Sequence, residues 1–244
     1  MSNLFKFEKG TKILNRIPVK QNCLASNITE VLKSGAWDKQ TCFIIGGGPS
    51  LKDFDWNLLK GQKVIGINKA FTVYPVDINY AMDYNFFDIL EYGINKEDKE
   101  LRKSWQKFQG IKLFALHDSQ YKFKKGIYYV NELCKKGLSF DLESGIMLGN
   151  NSGTGALMLA IALGCKRIGL LGYDFKVKEN QTHWHEGYSY QNCESMKINL
   201  ADFKRNVEEF ASGILEIGIN VVNLSNDSEL KGYPFSDIQT FLRV

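Results

Sequence analysis

From residue 41 onward, short apolar runs alternate with longer segments whose apolar residues recur at helical spacing. The runs 42–45, 63–67, 78–82, 112–116, 128–130, 167–171 and 220–224 predict strands. Several, such as "CFII" and the "IGLL" of 168–171, are continuously apolar rather than alternating, which marks strands buried on both faces of a helix-covered parallel sheet. The segment "GTGALMLAIALG" is apolar nearly all round and ends at Gly164, a natural stop, so it predicts a buried helix. "NLADFKRNVEEFASGILEIG" is amphipathic and predicts a helix from a cap at Asn199 to a terminator at Gly218. Strand and helix in alternation predict an α/β fold, a Rossmann-like open, mostly parallel sheet flanked by helices.

The flanks read differently. Residues 1–40 are mixed and polar and predict an N-terminal helical extension, with a helix over 27–34 capped by Asn27. Residues 41–230 carry the Rossmann-like domain, within which 86–125 is more polar and predicts a lid or insertion. Residues 231–244 form a tail, irregular and then one short helix. At 244 residues the chain suits one large domain.

Composition narrows the class without fixing the chemistry. A formal net charge of +4 is small for this length and the lysines are scattered, so nucleic acid is not an expected partner. Five dispersed cysteines with no C-x-x-C pair read as reduced thiols, and no apolar run approaches a membrane span. Together with the absence of a signal-like apolar core at residues 1–14, these features predict a cytoplasmic location.

Candidate chemistry gathers at the predicted strand ends. "TCFIIGGGPSLK" ends a strand in three glycines, and Pro49-Ser50 opens a predicted helix. Such glycines let a ligand approach the backbone, and open N–H groups at a helix start favour an anion; the alternative is a tight turn that binds nothing. No Gly-Lys-Ser/Thr follows, so this is not a Walker loop, and Leu51 stands where a dinucleotide fingerprint has its third glycine. Asn68 ends the next strand, as a contact to base or ribose or as a turn cap. Asp83 stands at another edge, suited to a ribose hydroxyl, a metal, an acceptor or a turn. "GNNSGTG" places Ser152, Gly153 and Thr154 at a helix start that suits a phosphate or carboxylate, and "RIGLLGYDF" sets Asp174 at a further edge. Two of the three histidines, His183 and His185, follow in "THWHEG" as proton-shuttle candidates. They could also be half a metal site completed by Asp174 or Glu186, whereas His117 reads as structural.

In this order, "IIGGGPSL", "GINKAF" and "SGTGALMLAIALGCKRIGLLGYDF" resemble the bacterial CMP-sialic-acid-dependent sialyltransferases. They also resemble the related domain of motility accessory factor glycosyltransferases and archaeal 6-hydroxymethylpterin diphosphokinases. The resemblance spans about residues 41–228 and is weak over 86–140. It implies nucleotide contacts at Gly46, Gly48, Ser50 and Asn68, donor contacts at Ser152, Gly153 and Thr154, and a general base at His183 or His185. "VVNLSNDSEL" is similar to the family's closing strand and its "SPNS-L" turn. One position departs from the pattern: the usual G-N-G-P-S-L has an asparagine where this chain has Gly47.

The expectation is a nucleotide-binding transferase, a glycosyltransferase using a nucleotide-activated sugar, which the resemblance implies is CMP-linked, on a small-molecule or glycan acceptor, with no cofactor required. Two alternatives stand beside it. One is a Mg-dependent diphosphokinase moving pyrophosphate from ATP to a small alcohol, with Asp83 and Asp174 as magnesium ligands. The other is a non-catalytic nucleotide-binding or assembly protein.

Overall fold

The computed structural model describes residues 24–116, 123–133, 138–178, 181–185, 193–225 and 227–243, with the backbone alone over 193–198. Eight parallel strands form one sheet: β1 Ser26–Asn27, β2 Thr41–Ile45, β3 Lys63–Ile67, β4 Ile78–Ala81, β5 Ile111–Leu116, β6 Tyr128–Asn131, β7 Arg167–Leu171 and β8 Asn220–Asn223. Their order is β1-β6-β5-β4-β3-β2-β7-β8, with β2 between β3 and β7. This is the Rossmann-like α/β architecture that the apolar runs predict.

Both faces of the sheet are covered, which explains why those runs do not alternate. Cys42, Ile44, Ile168 and Leu170 point to one core with helix α3 (Ser152–Ala162). Phe43, Ile45, Val64 and Leu171 point to the other, beneath α1 (Tyr84–Tyr92), α2 (Lys96–Lys107) and the C-terminal α6 (Ile238–Arg243). The polar segment 86–125 thus supplies most of α1, all of α2 and β5. It is anchored by Phe86, Phe87, Leu90 and Trp105, whereas 117–122, including His117, lies outside the described residues. Phe241 of α6 meets Phe43 edge-on at 5.4 Å, under the Arg167 guanidinium 4.1 Å from its ring centre.

The helices predicted from Asn27 and from Asn199 differ from what forms. Residues 26–27 pair with Tyr128 and Tyr129 as an edge strand, and only Ile28–Glu30 coil, as one 3-10 turn. Asn27 does cap that turn, accepting the Thr29 N–H at 2.9 Å. Pairing with the sheet overrides the local helical pattern there. The amphipathic stretch predicted from Asn199 to Gly218 starts earlier, as α4 (Cys193–Glu208), so Asn199 lies inside the helix. It then breaks before α5 (Ala211–Glu216). The Val207 carbonyl, which a continuing helix would offer to residue 211, accepts the Tyr233 hydroxyl at 2.8 Å. The Glu208 carboxylate accepts the N–H groups of Lys231 and Gly232 at 2.6 and 3.1 Å. The returning tail therefore takes the acceptors at the break. Gly164 and Gly218 end their helices at φ +92° and +73°, conformations that glycine adopts freely. Among the described residues, no helix is long and apolar enough to cross a membrane.

Helix α3 packs closely on the sheet because Gly155 has no side chain: a Cβ there would fall on the Tyr80 ring and hydroxyl. That hydroxyl is fully buried with no hydrogen-bond partner among the described residues. Gly155→Ala is therefore expected to cost about 1–3 kcal/mol through overpacking. Tyr80→Phe, which removes an unsatisfied polar atom, is expected to be neutral or stabilising. Urea unfolding of the two variants checks both signs.

Candidate functional site

The sequence runs β2, β3, β4 outward on one side of the sheet centre, then returns through α3 to place β7 and β8 on the other. β2 and β7 therefore flank a topological switch point, where open α/β sheets form a crevice at the carboxyl ends of their strands. A cavity of about 610 Å³ lies there. Its walls come from the ends of β2, β3, β4 and β7, the start of α3, the loop 182–185 and two side chains of α4, Leu200 and Phe203. The size suits a small-molecule or cofactor ligand.

The glycine loop is held on three sides. Gly46 and Gly48 donate to the carbonyls of Leu171 and Gly172 at 2.7 and 2.8 Å. Asp174, 2% exposed, accepts both the N–H and the hydroxyl of Ser50 at 2.6 Å. Trp184 donates its N–H to the Gly47 carbonyl at 2.9 Å and its indole Nε1–H to the Gly46 carbonyl at 3.3 Å. Side chains would not fit here. A Cβ at 46 would lie 2.7 Å from the Gly172 oxygen, one at 47 would lie 2.8 Å from His183 Cδ2, and one at 48 would lie 2.5 Å from Asp174 Cγ. The helix predicted after Pro49 is a single 3-10 turn, Pro49–Leu51, too short to carry an appreciable dipole. Burial pushes the Asp174 carboxyl above its usual range, while the two Ser50 bonds and Lys176 pull it back.

Asn68 follows β3 in the left-handed region at φ +53°, which asparagine tolerates better than most residues. Its carbonyl accepts from Asn79 Nδ2 at 3.0 Å, and its amide oxygen is buried with no partner among the described residues. Asp83 caps α1, accepting the Asn85 N–H at 2.9 Å, and also lines the cavity. At the start of α3, Asn151 is the cap: its Oδ1 accepts the Thr154 N–H at 2.8 Å and its Nδ2 donates to the Thr154 hydroxyl at 2.9 Å. Ser152 and Gly153 face the cavity, and among the described residues no acceptor meets their N–H groups. Tyr173 ties this turn to β7, its hydroxyl donating to the Gly153 carbonyl at 3.0 Å. Ser225 and Ser228 brace the chain just after β7. Tyr173 N–H donates to Ser225 Oγ at 2.9 Å, and the Ser228 hydroxyl donates to the Tyr173 carbonyl at 2.6 Å.

His183 lies over Gly47, with Nδ1 2.9 Å from the Thr182 hydroxyl. His185 stacks on it at 4.8 Å between ring centres, 23° from parallel, and meets Trp184 at right angles. Burial, reinforced by the Lys69 charge, lowers His183 to about 4, so its imidazole is neutral at pH 7.

The cavity thus brings together Gly46, Gly48, Asn68, Asp83, Ser152, Gly153, Asp174, His183 and His185. Ser50 and Thr154 stand behind its wall, Ser50 on Asp174 and Thr154 fully buried against Asn151. Sequence reading passed over Trp184, Tyr173 and the capping role of Asn151. Only the last has a local signal, an Asn three residues before Thr154 at a helix start. Among the described residues, no three His, Cys, Asp or Glu side chains converge as a metal site. Asp83 and Asp174, the expected magnesium ligands, both line the cavity, each accepting a backbone N–H, and Glu186 lies outside the described residues.

No protein-family model and no curated protein matches this chain. Among solved structures it is similar to a mutant of the alpha-2,3/8-sialyltransferase CstII, at 16% identity and a TM-score of 0.44, over 80% of this chain and 86% of that one.

The depressed His183 makes the loop sensitive to acid. Above pH 6.5 the neutral ring is carried at no proton cost. As the pH falls from 6.5 to 4, the unfolded chain takes up a proton that the folded chain refuses, so stability drops, levelling at a loss on the order of 3 kcal/mol below 4. His183→Gln is expected to flatten this part of the stability–pH curve relative to wild type. Urea unfolding between pH 4 and 7, followed by circular dichroism, checks it.

Proposed function

We propose that this protein is a nucleotide-binding transferase of glycosyltransferase type, with a nucleotide-activated sugar in the switch-point cavity. The observation that carries the reading is Asn68. Asn68 lines the cavity at positive φ, and its buried amide oxygen has no partner among the described residues; turned into the cavity, that amide would meet a base amine or ribose hydroxyl of a ligand. The ordered sequence resemblance to CMP-sugar-dependent sialyltransferases supports a CMP-linked donor.

In this reading the donor phosphate lies at the first turn of α3, on the N–H groups of Ser152 and Gly153. The glycine loop lines the same cavity as a second wall. An acceptor hydroxyl oxygen bonds to the anomeric carbon as the bond from that carbon to the phosphate oxygen breaks. The phosphate leaves with the electron pair, and a histidine of the 182–185 loop takes the hydroxyl proton. The α3 donors stabilise the charge that grows on the leaving phosphate. His183, neutral at pH 7, is in the proton-accepting form throughout the physiological range.

Thermal unfolding with CMP, CTP, UDP-sugars and ATP tests the reading. A ligand at a hundredfold its Kd is expected to raise Tm by about 5–10 °C. Asn68→Gly removes the amide while keeping the left-handed backbone, and is expected to weaken that ligand about tenfold with little change in the stability of the free protein. No shift with any of these nucleotides would overturn the proposal.

A further inference from the structure

Strands β3 and β4 pair with Gly66 opposite Asn79. Successive strand residues point to opposite faces, so Asn79 shares a face with Ala81, and Gly66 with Val64, toward the core beneath α1 and α2. On that apolar face Asn79 is 1% exposed. Burying an amide among apolar side chains costs stability unless its groups are bonded. One of them is: Nδ2 donates to the backbone carbonyl of Asn68 at 3.0 Å. The other is not, since Asn79 Oδ1 has no partner among the described residues. Exchanging the two atoms would set an oxygen against the Asn68 carbonyl, where only a donor is useful.

The neighbouring strand makes room for this amide. A Cβ on Gly66 would stand 3.1 Å from Asn79 Oδ1 and 2.8 Å from the Ala70 Cβ. The Asn79 side chain thus lies over Gly66 and reaches the residue that follows β3. A β-branched apolar residue at 79 would suit the strand and its covered face at least as well, so the fold alone does not ask for an asparagine there.

We propose that Asn79 is a positioning residue for the nucleotide and acts through Asn68. The inference rests on the donor reading above. Asn68 holds a left-handed backbone at φ +53°, a conformation that costs energy for any residue with a side chain. The bond from Asn79 ties down the carbonyl of that residue and so stabilises the conformation from its carboxyl side. With the backbone held, the Asn68 side chain stands at the cavity wall and needs only to turn about its own torsions to meet a base or ribose. The backbone of residue 68 is ordered before binding, and preorganisation of this kind strengthens affinity without a new contact. Asn79 does not line the cavity, so its effect on a ligand passes through residue 68.

A double-mutant cycle on nucleotide affinity tests this, with CMP, CTP, UDP-glucose and ATP titrated calorimetrically into the full chain. Asn79→Val removes the amide and is expected to weaken the nucleotide that binds about three- to tenfold. In the Asn68→Gly background the same substitution is expected to change affinity less than about twofold, because no side chain is left at 68 to be placed. Asn79→Ala serves in both backgrounds if the valine variant does not fold. An affinity unchanged by the single substitution, or losses that multiply in the double variant as a general loosening of the fold would make them, overturns the proposal and leaves the donor reading standing. The carbon chemical shifts of residue 68 in the nucleotide-free protein report its left-handed backbone without any ligand. They are expected to move toward extended values in Asn79→Val, and unmoved shifts overturn the proposal. Wild type that binds none of the four nucleotides overturns the donor reading instead, and shifts that move in that case still assign the conformation of Asn68 to Asn79.

Discussion

Everything at the site depends on how closely the loop 46–48 approaches the end of β7. The parallel pairing of β2 with β7 continues past the strands, through the N–H groups of Gly46 and Gly48 to the carbonyls of Leu171 and Gly172. A methyl group on any of the three glycines would stand less than 3 Å from a neighbouring atom. The space that those side chains leave is filled by protein: Asp174 against Gly48, the Gly172 carbonyl against Gly46, and the His183 ring over Gly47. The glycines are therefore needed by the fold itself, before any ligand is considered. The Gly47 position, where the resembling family carries an asparagine, is the place over which this chain lays a histidine.

That packing sets the geometry of the histidine loop. Trp184 is the clasp, with two donors on two adjacent glycine carbonyls, and the imidazoles on either side of it inherit its position. Their stacking is compatible with charge only if at most one is protonated at a time. The depressed His183 meets that condition at neutral pH, because burial and the Lys69 ammonium both disfavour a second positive charge there.

The fold was legible because it rests on a property that sequence displays directly. Runs such as 42–45 and 168–171 are apolar at every position since each face of the sheet meets its own core. The errors arose where long-range contacts overrule local pattern. Ser26–Asn27 is a strand because β6 presents a free edge, and the helix predicted through residue 210 is interrupted because Tyr233 and the backbone at 231–232 come back to it. The same distinction separates the site residues. Gly46, Asn68, Asp83 and Asp174 were visible as polar or small residues at strand ends, a local feature. That Ser50 would turn away toward Asp174, 124 residues on, or that Trp184 would clasp the glycines, has no local signature.

The two small-residue turns that look alike in sequence are thus unlike in the molecule. After β2, the N–H groups of residues 46, 48 and 50 are satisfied by protein, Pro49 has none, and the turn that follows is three residues long. At α3, one side chain, Asn151, satisfies a single N–H and leaves those of Ser152 and Gly153 open toward the cavity, at the head of an eleven-residue helix. Aligned peptide dipoles add only where a helix is long enough to sum them. An anion entering the crevice is therefore drawn to α3, and the glycine loop, with the Asp174 carboxylate behind it, serves as a wall whose value is its thinness. In the proposed transferase, this asymmetry orients the donor: phosphate toward residues 152–153, and the reacting carbon toward the imidazoles held above Gly47.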